Sequence, residues 1–334
     1  MLLPYDLIHT TLFKVMRQYD FDEEGAALNA QIFTDSTQDG YHSHGVNRFG
    51  QFIKNVQKGI VKPRLRPLLS ESLGVLERYD GQQGPGPSNA HLCMERAIQI
   101  AKENTMGCVA LRNSNHWMRG GAYGWQAAAS DCIAICFTNT MPNMPPWGGT
   151  TNTTGNNPLI IAVPRLEGHV VLDMSLSQFS YGKIYESHLH GKSLPFAGGY
   201  NKEGKLTDIP GEIMESRRIL QTGYWKGSGL SIMLDLLSTL MSNGLSTSAI
   251  GKLEGETSLS QVFLCINAQA LGDAQQRESV GMEIINHFKG SEAQQESQPV
   301  RYPGESTLAR RLKQRKEGID VDDSIWNGIL ALLS

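Results

Sequence analysis

Net charge, long apolar runs and paired cysteines are all scarce in this 334-residue chain, and each shortage closes off a class of function. Thirty Lys and Arg stand against 33 Asp and Glu, a net charge of −3, so no overall basic field is present to draw nucleic acid or an anionic membrane. Any positive charge that matters is local. The most apolar stretch, Leu230–Met241, is interrupted by Ser231, Asp235 and Ser238 and is far too short to cross a bilayer. Residues Met1–Asp20 mix Asp6, Lys14, Arg17 and Asp20 into a helical pattern unlike a secretion signal. Five cysteines (Cys93, Cys108, Cys132, Cys136, Cys265) form an odd set without metal-ligand spacing; they read as reduced core residues, which fits a cytoplasmic protein. Several motifs are missing too. There is no Gly-x-Gly-x-x-Gly, which disfavours a Rossmann dinucleotide site, and no Walker A, His-Glu-x-x-His or Gly-x-Ser-x-Gly sequence.

What is present is an ordinary globular composition, 40% hydrophobic and 19% charged. Apolar spacing predicts helices at Tyr5–Gln18, Glu23–Asp35 and Val46–Gln57, then one at Asn89–Thr105 capped by Ser88. Strands are expected at Cys108–Arg112, Cys132–Thr138, Leu159–Val163, Val170–Met174 and Gln261–Ala268, with a helix at Arg119–Ser130. The short step from Val163 to Val170 calls for a hairpin, so the sheet is mixed and not doubly wound. Helices return at Leu230–Ser242, Ala274–Phe288, Ser306–Glu317 and Asp323–Leu333, and the polar stretch Gly290–Pro299 reads as a surface loop.

Three segments carry the residue types of a reaction centre. In Tyr41-His-Ser-His-Gly-Val-Asn-Arg48, His44 and Arg48 fall one turn apart if Ser43 or His44 opens the third helix. This pairs a group that exchanges protons near neutrality with one that clamps a carboxylate through two parallel hydrogen bonds; solvated side chains beside a helix cap give the same pattern. Leu111-Arg-Asn-Ser-Asn-His-Trp-Met-Arg-Gly-Gly121 places His116 and Arg119 in a strand-to-helix loop, where scaffolds present reactive groups and where plain surface loops also occur. Gly223-Tyr-Trp-Lys-Gly-Ser-Gly-Leu230 precedes a helix read as buried, and Lys226, Gly227 and Gly229 at its start suit either a phosphate or a simple turn. The pairs His42/His44 and His188/His190 lack a companion ligand at metal-site spacing, so no metal is expected.

Taken in order, Ser43-His-Gly-Val-Asn-Arg-Phe49, Asn113-Ser-Asn-His-Trp-Met-Arg-Gly-Gly121, Met144-Pro-Pro-Trp-Gly148, Val171-Leu-Asp-Met-Ser175 and Gly223–Gly229 resemble the malate/L-lactate dehydrogenase family of non-Rossmann oxidoreductases, from about Tyr5 to Trp326. The resemblance implies an α/β fold with a central mixed, largely antiparallel sheet, and a helical domain formed from both chain ends. It implies an N-terminal segment 1–75 carrying His44, a central domain 76–225 with cofactor and dimer contacts, and a C-terminal segment 226–334 packing with the first. It implies a homodimer, and NADH (NADPH being the alternative) reducing a small anionic 2-oxo acid or sugar acid. His44 falls on the family's proton donor, Arg48 on its neighbouring arginine and His116 on its second histidine. Cofactor contacts fall on Thr140, on His169, Val170, Val171, Leu172, Asp173, Met174 and Ser175, on Trp225 and Lys226, and on Gly304, Glu305 and Ser306. Gly155-Asn-Asn-Pro158 and Tyr302-Pro-Gly-Glu-Ser306 depart from the family pattern at Asn156 and Ser306, and His188 and His190 have no counterpart.

Two other classes fit the same residues: a metal-dependent hydrolase built on His42, His44 and His116, or a non-catalytic binding protein that kept the fold. Asp173 is open to two readings as well, a partner for a ribose hydroxyl or a structural acid.

Overall fold

A computed structural model describes residues 1–295 and 299–333, so part of the polar stretch 290–299 lies outside the described residues. A short β1 (Leu2–Leu3) leads into α1 (Tyr5–Gln18), α2 (Glu23–Gln38) and α3 (Val46–Gln57). Helix α1 forms because Ile8, Leu12, Val15 and Met16 recur every three or four residues and bury one stripe. The Asp22 carboxylate starts α2 by accepting the Gly25 N–H at 2.7 Å.

The sheet begins with β2 (Leu68–Leu73) and β3 (Leu76–Asp80), an antiparallel hairpin. Then come α4 (Gly86–Asn104), β4 (Met106–Ser114), α5 (Gly121–Ala129), β5 (Cys132–Thr138), β6 (Leu159–Val163) and β7 (Val170–Met174). A small unit follows, α6 (Tyr181–Leu189), β8 (Gly199–Tyr200), β9 (Leu206–Thr207), α7 (Pro210–Ser216) and β10 (Arg218–Ile219), around Ile184, Leu194 and Ile213. The chain closes with α8 (Trp225–Ser242), α9 (Thr247–Ile250), β11 (Leu259–Asn267), α10 (Ala274–Lys289), α11 (Glu305–Glu317), β12 (Ile319–Asp320) and α12 (Asp323–Leu330).

Seven strands run in the order β2-β3-β4-β11-β5-β6-β7, antiparallel except for the β3–β4 pair. The sheet is therefore mixed and largely antiparallel, with β6 and β7 as the hairpin that the short 163–170 connection requires. Alternation divides its faces. Phe263 and Cys265 of β11 join Cys132, Ala134 and Cys136 of β5 under α4 and α5, while Val262, Leu264, Ile135 and Phe137 face α8. All five cysteines are free and buried.

Beside the sheet, both chain ends build one helical core. Strands β1 and β12 pair antiparallel, and Ile8, Leu12, Phe33, Phe49 and Phe52 pack with Ile319, Val321, Trp326 and Ile329. The structure differs from the sequence-based expectation at the starts of α4 and α8 and in how α8 is covered. Ser88 lies inside α4, whose start is set by Pro85 and Pro87, and its hydroxyl bonds the Pro85 carbonyl. Helix α8 begins five residues early, at Trp225, so Gly227 and Gly229 are helical. It is also only half covered: Leu230, Ile232, Met233, Leu236, Leu237 and Leu240 are exposed, because a helix apolar all round has one face against the sheet and none of the described residues against the other.

Candidate active site

A cavity of about 510 Å³ opens where the turn before α3 meets the segments following β4 and β5 and the end of β7. His44, Arg48, His116, Arg119, Thr140, Asn156, Asp173 and Ser175, far apart in sequence, all line it.

His44 sits in a 3-10 turn, His42–His44, and not at the head of α3. Gly45 intervenes, and the Thr37 hydroxyl of α2 accepts the Val46 N–H at 3.1 Å, so that bond at the head of α3 goes to α2 and not to Ser43. Arg48 lies in the first turn of α3, exposed, its backbone N–H donating to the Gly45 carbonyl at 2.9 Å and its side chain making no hydrogen bond or ion pair among the described residues. His116 is carried by a loop bent through left-handed residues, Asn113 at φ 52° and Met118 at φ 62°. The Asn115 side chain fastens that loop to the Ile60, Gln83 and Gly84 carbonyls, and Gly86 is small because a Cβ there would meet the His116 carbonyl oxygen at 2.2 Å.

The two imidazoles stack 5.8 Å apart at 20°. Burial lowers the pKa of His44 to about 4, helped by His116, Arg48 and Arg119, while Asp173 pulls the other way. Burial and Arg48 lower His116 to about 4 as well. His116 Nδ1 accepts the Met118 N–H at 3.0 Å, so the neutral ring carries its proton on Nε2. The Ser43 hydroxyl meets His44 Nδ1 at 3.0 Å.

Asp173, open to a ribose-binding reading in sequence, belongs to this cavity. Its Oδ2 accepts the Gly121 N–H at 3.0 Å at the start of α5 and stands 3.7 Å from Arg119 Nε. Gly121 permits the approach, since a Cβ there would lie 2.5 Å from that oxygen. Arg119 is buried (3% exposed), paired with Asp39 and stacked on the Tyr41 ring at 3.9 Å. Thr140 Oγ1 donates to Asn156 Oδ1 at 3.1 Å, as does Asn143 Nδ2 at 2.9 Å, while Asn143 Oδ1 is buried without a partner.

Sequence reasoning missed Asp39, which looks like an ordinary helix-end acid, and Glu256, which sits in a plain polar loop but lines the cavity. Burial raises the Glu256 pKa, opposed by the Met141 backbone N–H and by Arg48.

The remaining cofactor candidates fall outside the lining. His169, Val170, Val171, Leu172 and Met174 lie on or beside β7, an edge strand, across which residues 303–304 are laid: Val171 N donates to Pro303 O at 3.0 Å, and a Cβ on Gly304 (φ 96°) would meet the His169 carbonyl at 2.9 Å. Glu305 pairs with Lys289 and keeps Oε2 buried without a partner; Arg301 donates to Ser306 Oγ at 3.2 Å. Trp225 is 64% exposed, beside Lys226 at the head of α8. His42 lies toward Asp320 and Arg310, outside the lining, so it does not join His44 and His116. His188 and His190 lie on and just after α6, also outside the lining. No group of three or more His, Cys, Asp or Glu suited to a metal occurs among the described residues.

Comparison with known proteins supplies the frame. The model of the malate/L-lactate dehydrogenase family matches residues 3–330. A 2,3-diketo-L-gulonate reductase of Escherichia coli (strain K12) is 41% identical over 333 residues, 99% of this chain and 100% of that protein. Among solved structures, malate dehydrogenase from Entamoeba histolytica superposes with a TM-score of 0.93 at 25% identity, covering 99% of this chain and 97% of the other. Sulfolactate dehydrogenase from Methanocaldococcus jannaschii gives 0.89 at 28%, covering 99% and 96%.

Proposed function

The chain belongs to the malate/L-lactate dehydrogenase family of oxidoreductases, and from that premise we propose that it reduces the C2 carbonyl of a 2-oxo acid with NADH, 2,3-diketo-L-gulonate being the preferred substrate. The observation that carries the reading is the joint cavity: two stacked imidazoles and a carboxylate on one wall, an unpaired arginine beside them. The hydroxyl and amide groups of Thr138, Thr140, Asn143, Ser175 and Ser177 in the same lining suit a polyhydroxylated acid better than an apolar one.

Residues for a nicotinamide cofactor fit along β7. The unpartnered oxygens of Asn143, in the cavity lining, and of Glu305, beside β7, leave polar groups to be satisfied. Thr140, Asp173 and Ser175 serve the cavity end, and His169–Leu172, Met174 and Gly304–Ser306 the far end. When bound, the nicotinamide supplies the hydride. Glu305, an acid among these contacts, favours NADH over a 2′-phosphate.

Arg48 holds the substrate carboxylate, and His116, with its proton on Nε2, donates to the carbonyl oxygen. His44 delivers the proton that the developing alkoxide takes up. Since His44 is held neutral near pH 7 in the free protein, its protonation is promoted by an arriving anion that offsets Arg48, with Asp173 supporting the imidazolium. In the reverse direction the neutral ring is ready to act as a base.

The exposed apolar face of α8 is the place for a second copy: six large side chains on one helix exceed what a solitary soluble chain leaves uncovered. Trp225 and Lys226 stand at the head of that helix as cofactor contacts, the lysine offering a cation to a phosphate. Five reduced cysteines are consistent with the cytoplasm.

NADH oxidation followed by absorbance with a panel of 2-oxo acids, with and without a chelator, tests the reading. Fastest turnover is expected with 2,3-diketo-L-gulonate, unaffected by chelator and slower with NADPH. Hydrolysis that stops on chelation, without NADH oxidation, sinks it; NADH binding with no turnover leaves a binding protein.

A further inference from the structure

We propose that Asp39 is a positioning residue: by holding the Arg119 guanidinium it keeps that cation off Asp173 and leaves the Asp173 carboxylate to support the His44 imidazole. The inference rests on the roles of His44 and Asp173 given above. Its basis is a contest between two carboxylates for one buried guanidinium.

Arg119 Nη1 bonds Asp39 Oδ2 directly, whereas its Nε stands 3.7 Å from Asp173 Oδ2 and has no hydrogen-bond partner among the described residues. Stacking on Tyr41 restrains the guanidinium in that position. Asp39 itself is 2% exposed and fixed from other sides: Arg311 Nε and Nη2 reach its two oxygens at 2.6 and 2.7 Å, and Arg310 Nη1 reaches its backbone carbonyl at 3.3 Å. A buried carboxylate taking three donors cannot swing toward Asp173 or release Arg119 cheaply. The near-miss at Asp173 is thus imposed from the far side of the arginine.

The consequence falls on His44. Four charged or titratable groups face it: His116 from the loop after β4, Arg48 from α3, Arg119 from the segment before α5, and Asp173 from β7. The first three drive its proton off, and Asp173 alone draws it on. If Asp39 loses its charge, Arg119 retains Asp173 as its carboxylate partner, closes the gap and neutralises the one anion that helps His44. Removing Arg119 instead frees that anion. The two substitutions therefore act in opposite directions on the same proton, which a merely structural role does not do.

The test uses full-length protein labelled at histidine Cε1, with the His44 resonance identified by its loss in His44→Asn, titrated downward from pH 8 for as long as the amide spectrum stays folded, each midpoint being fitted with the charged limit fixed at that of a free imidazolium. Asp39→Asn should shift the His44 signal toward its neutral limit and Arg119→Gln toward its charged limit, each by on the order of one pH unit in midpoint, with Asp39→Glu restoring the original curve. Midpoints that move together, or not at all, overturn the proposal. Should Asp39→Asn fail to fold, Arg311→Gln decides: it leaves Asp39 to Arg119 alone, so the midpoint should rise, and a fall or no change counts against the idea. Turnover is read separately. Full activity in His44→Ala sinks the proton-donor role while leaving the midpoints to judge the Asp39 contest by itself.

Discussion

The inner wall of the cavity and its mouth are built on opposite principles. On the wall, His116, Arg119 and Asp173 are each held: a backbone N–H on His116, Asp39 and Tyr41 on Arg119, the Gly121 N–H on Asp173. At the mouth, the Arg48 side chain has no partner among the described residues, and Ser180, Tyr181 and Gly182 at the start of α6 are exposed. Groups that must meet a developing charge gain from being fixed in advance, since reorganisation at the moment of reaction is what slows it. Groups that catch a substrate need room to close on it.

Breaking the wall should cost the most. His44→Ala is expected to lower turnover in reduction by a factor on the order of 100 or more, with NADH binding by fluorescence retained. Unchanged turnover would remove His44 from its role. At the mouth, Arg48→Gln should show a different signature: a KM for the acid raised on the order of tenfold or more, with kcat changed less, because a carboxylate clamp acts alike in ground and transition states. An equal loss in kcat would place Arg48 on the wall.

Acidity probes the same contrast. The wall histidines are neutral in the folded chain, with pKa values lowered to about 4, and titrate near 6.5 once unfolded. Between those values the unfolded chain binds more protons, so stability is whole above about pH 6.5 and is lost as pH falls toward 4. Thermal melts across that window should show the loss, and His44→Gln/His116→Gln should flatten it. For catalysis the sign is opposite: reduction consumes a proton, so kcat/KM should rise as pH falls through the neutral range, measured above the onset of unfolding. The smallest effect is expected of Tyr181→Ala, a few-fold change in KM with 2,3-diketo-L-gulonate and little in kcat; a larger loss would show that α6 reaches the reacting atoms.

Periodicity made most of the fold legible. α1, α3, β5, β6 and β7 have the ends expected of them because each buries a stripe at a single period. The exposed Leu68–Leu73 strand and the 181–219 unit were not anticipated, since an edge hairpin buries little and short strands leave no period to read. Helix α8 shows the other failure: its apolar run reads as a buried helix, yet six of its large side chains are exposed. His44, Arg48 and His116 were marked by residue type in loops beside predicted elements. Asp39 and Glu256 were not, because a buried carboxylate is spelled like a solvated one and only the fold supplies its cations.

The pairing of β1 with β12, with Arg311 reaching Asp39 alongside, ties about the first sixty residues to the last thirty. During synthesis, then, α1 to α3 leave the ribosome without the partners that complete their core, and the turn bearing His44 waits for the chain's final stretch. The helices made early complete their core late, so a nascent chain carries His44 through most of these residues before that turn has a folded setting.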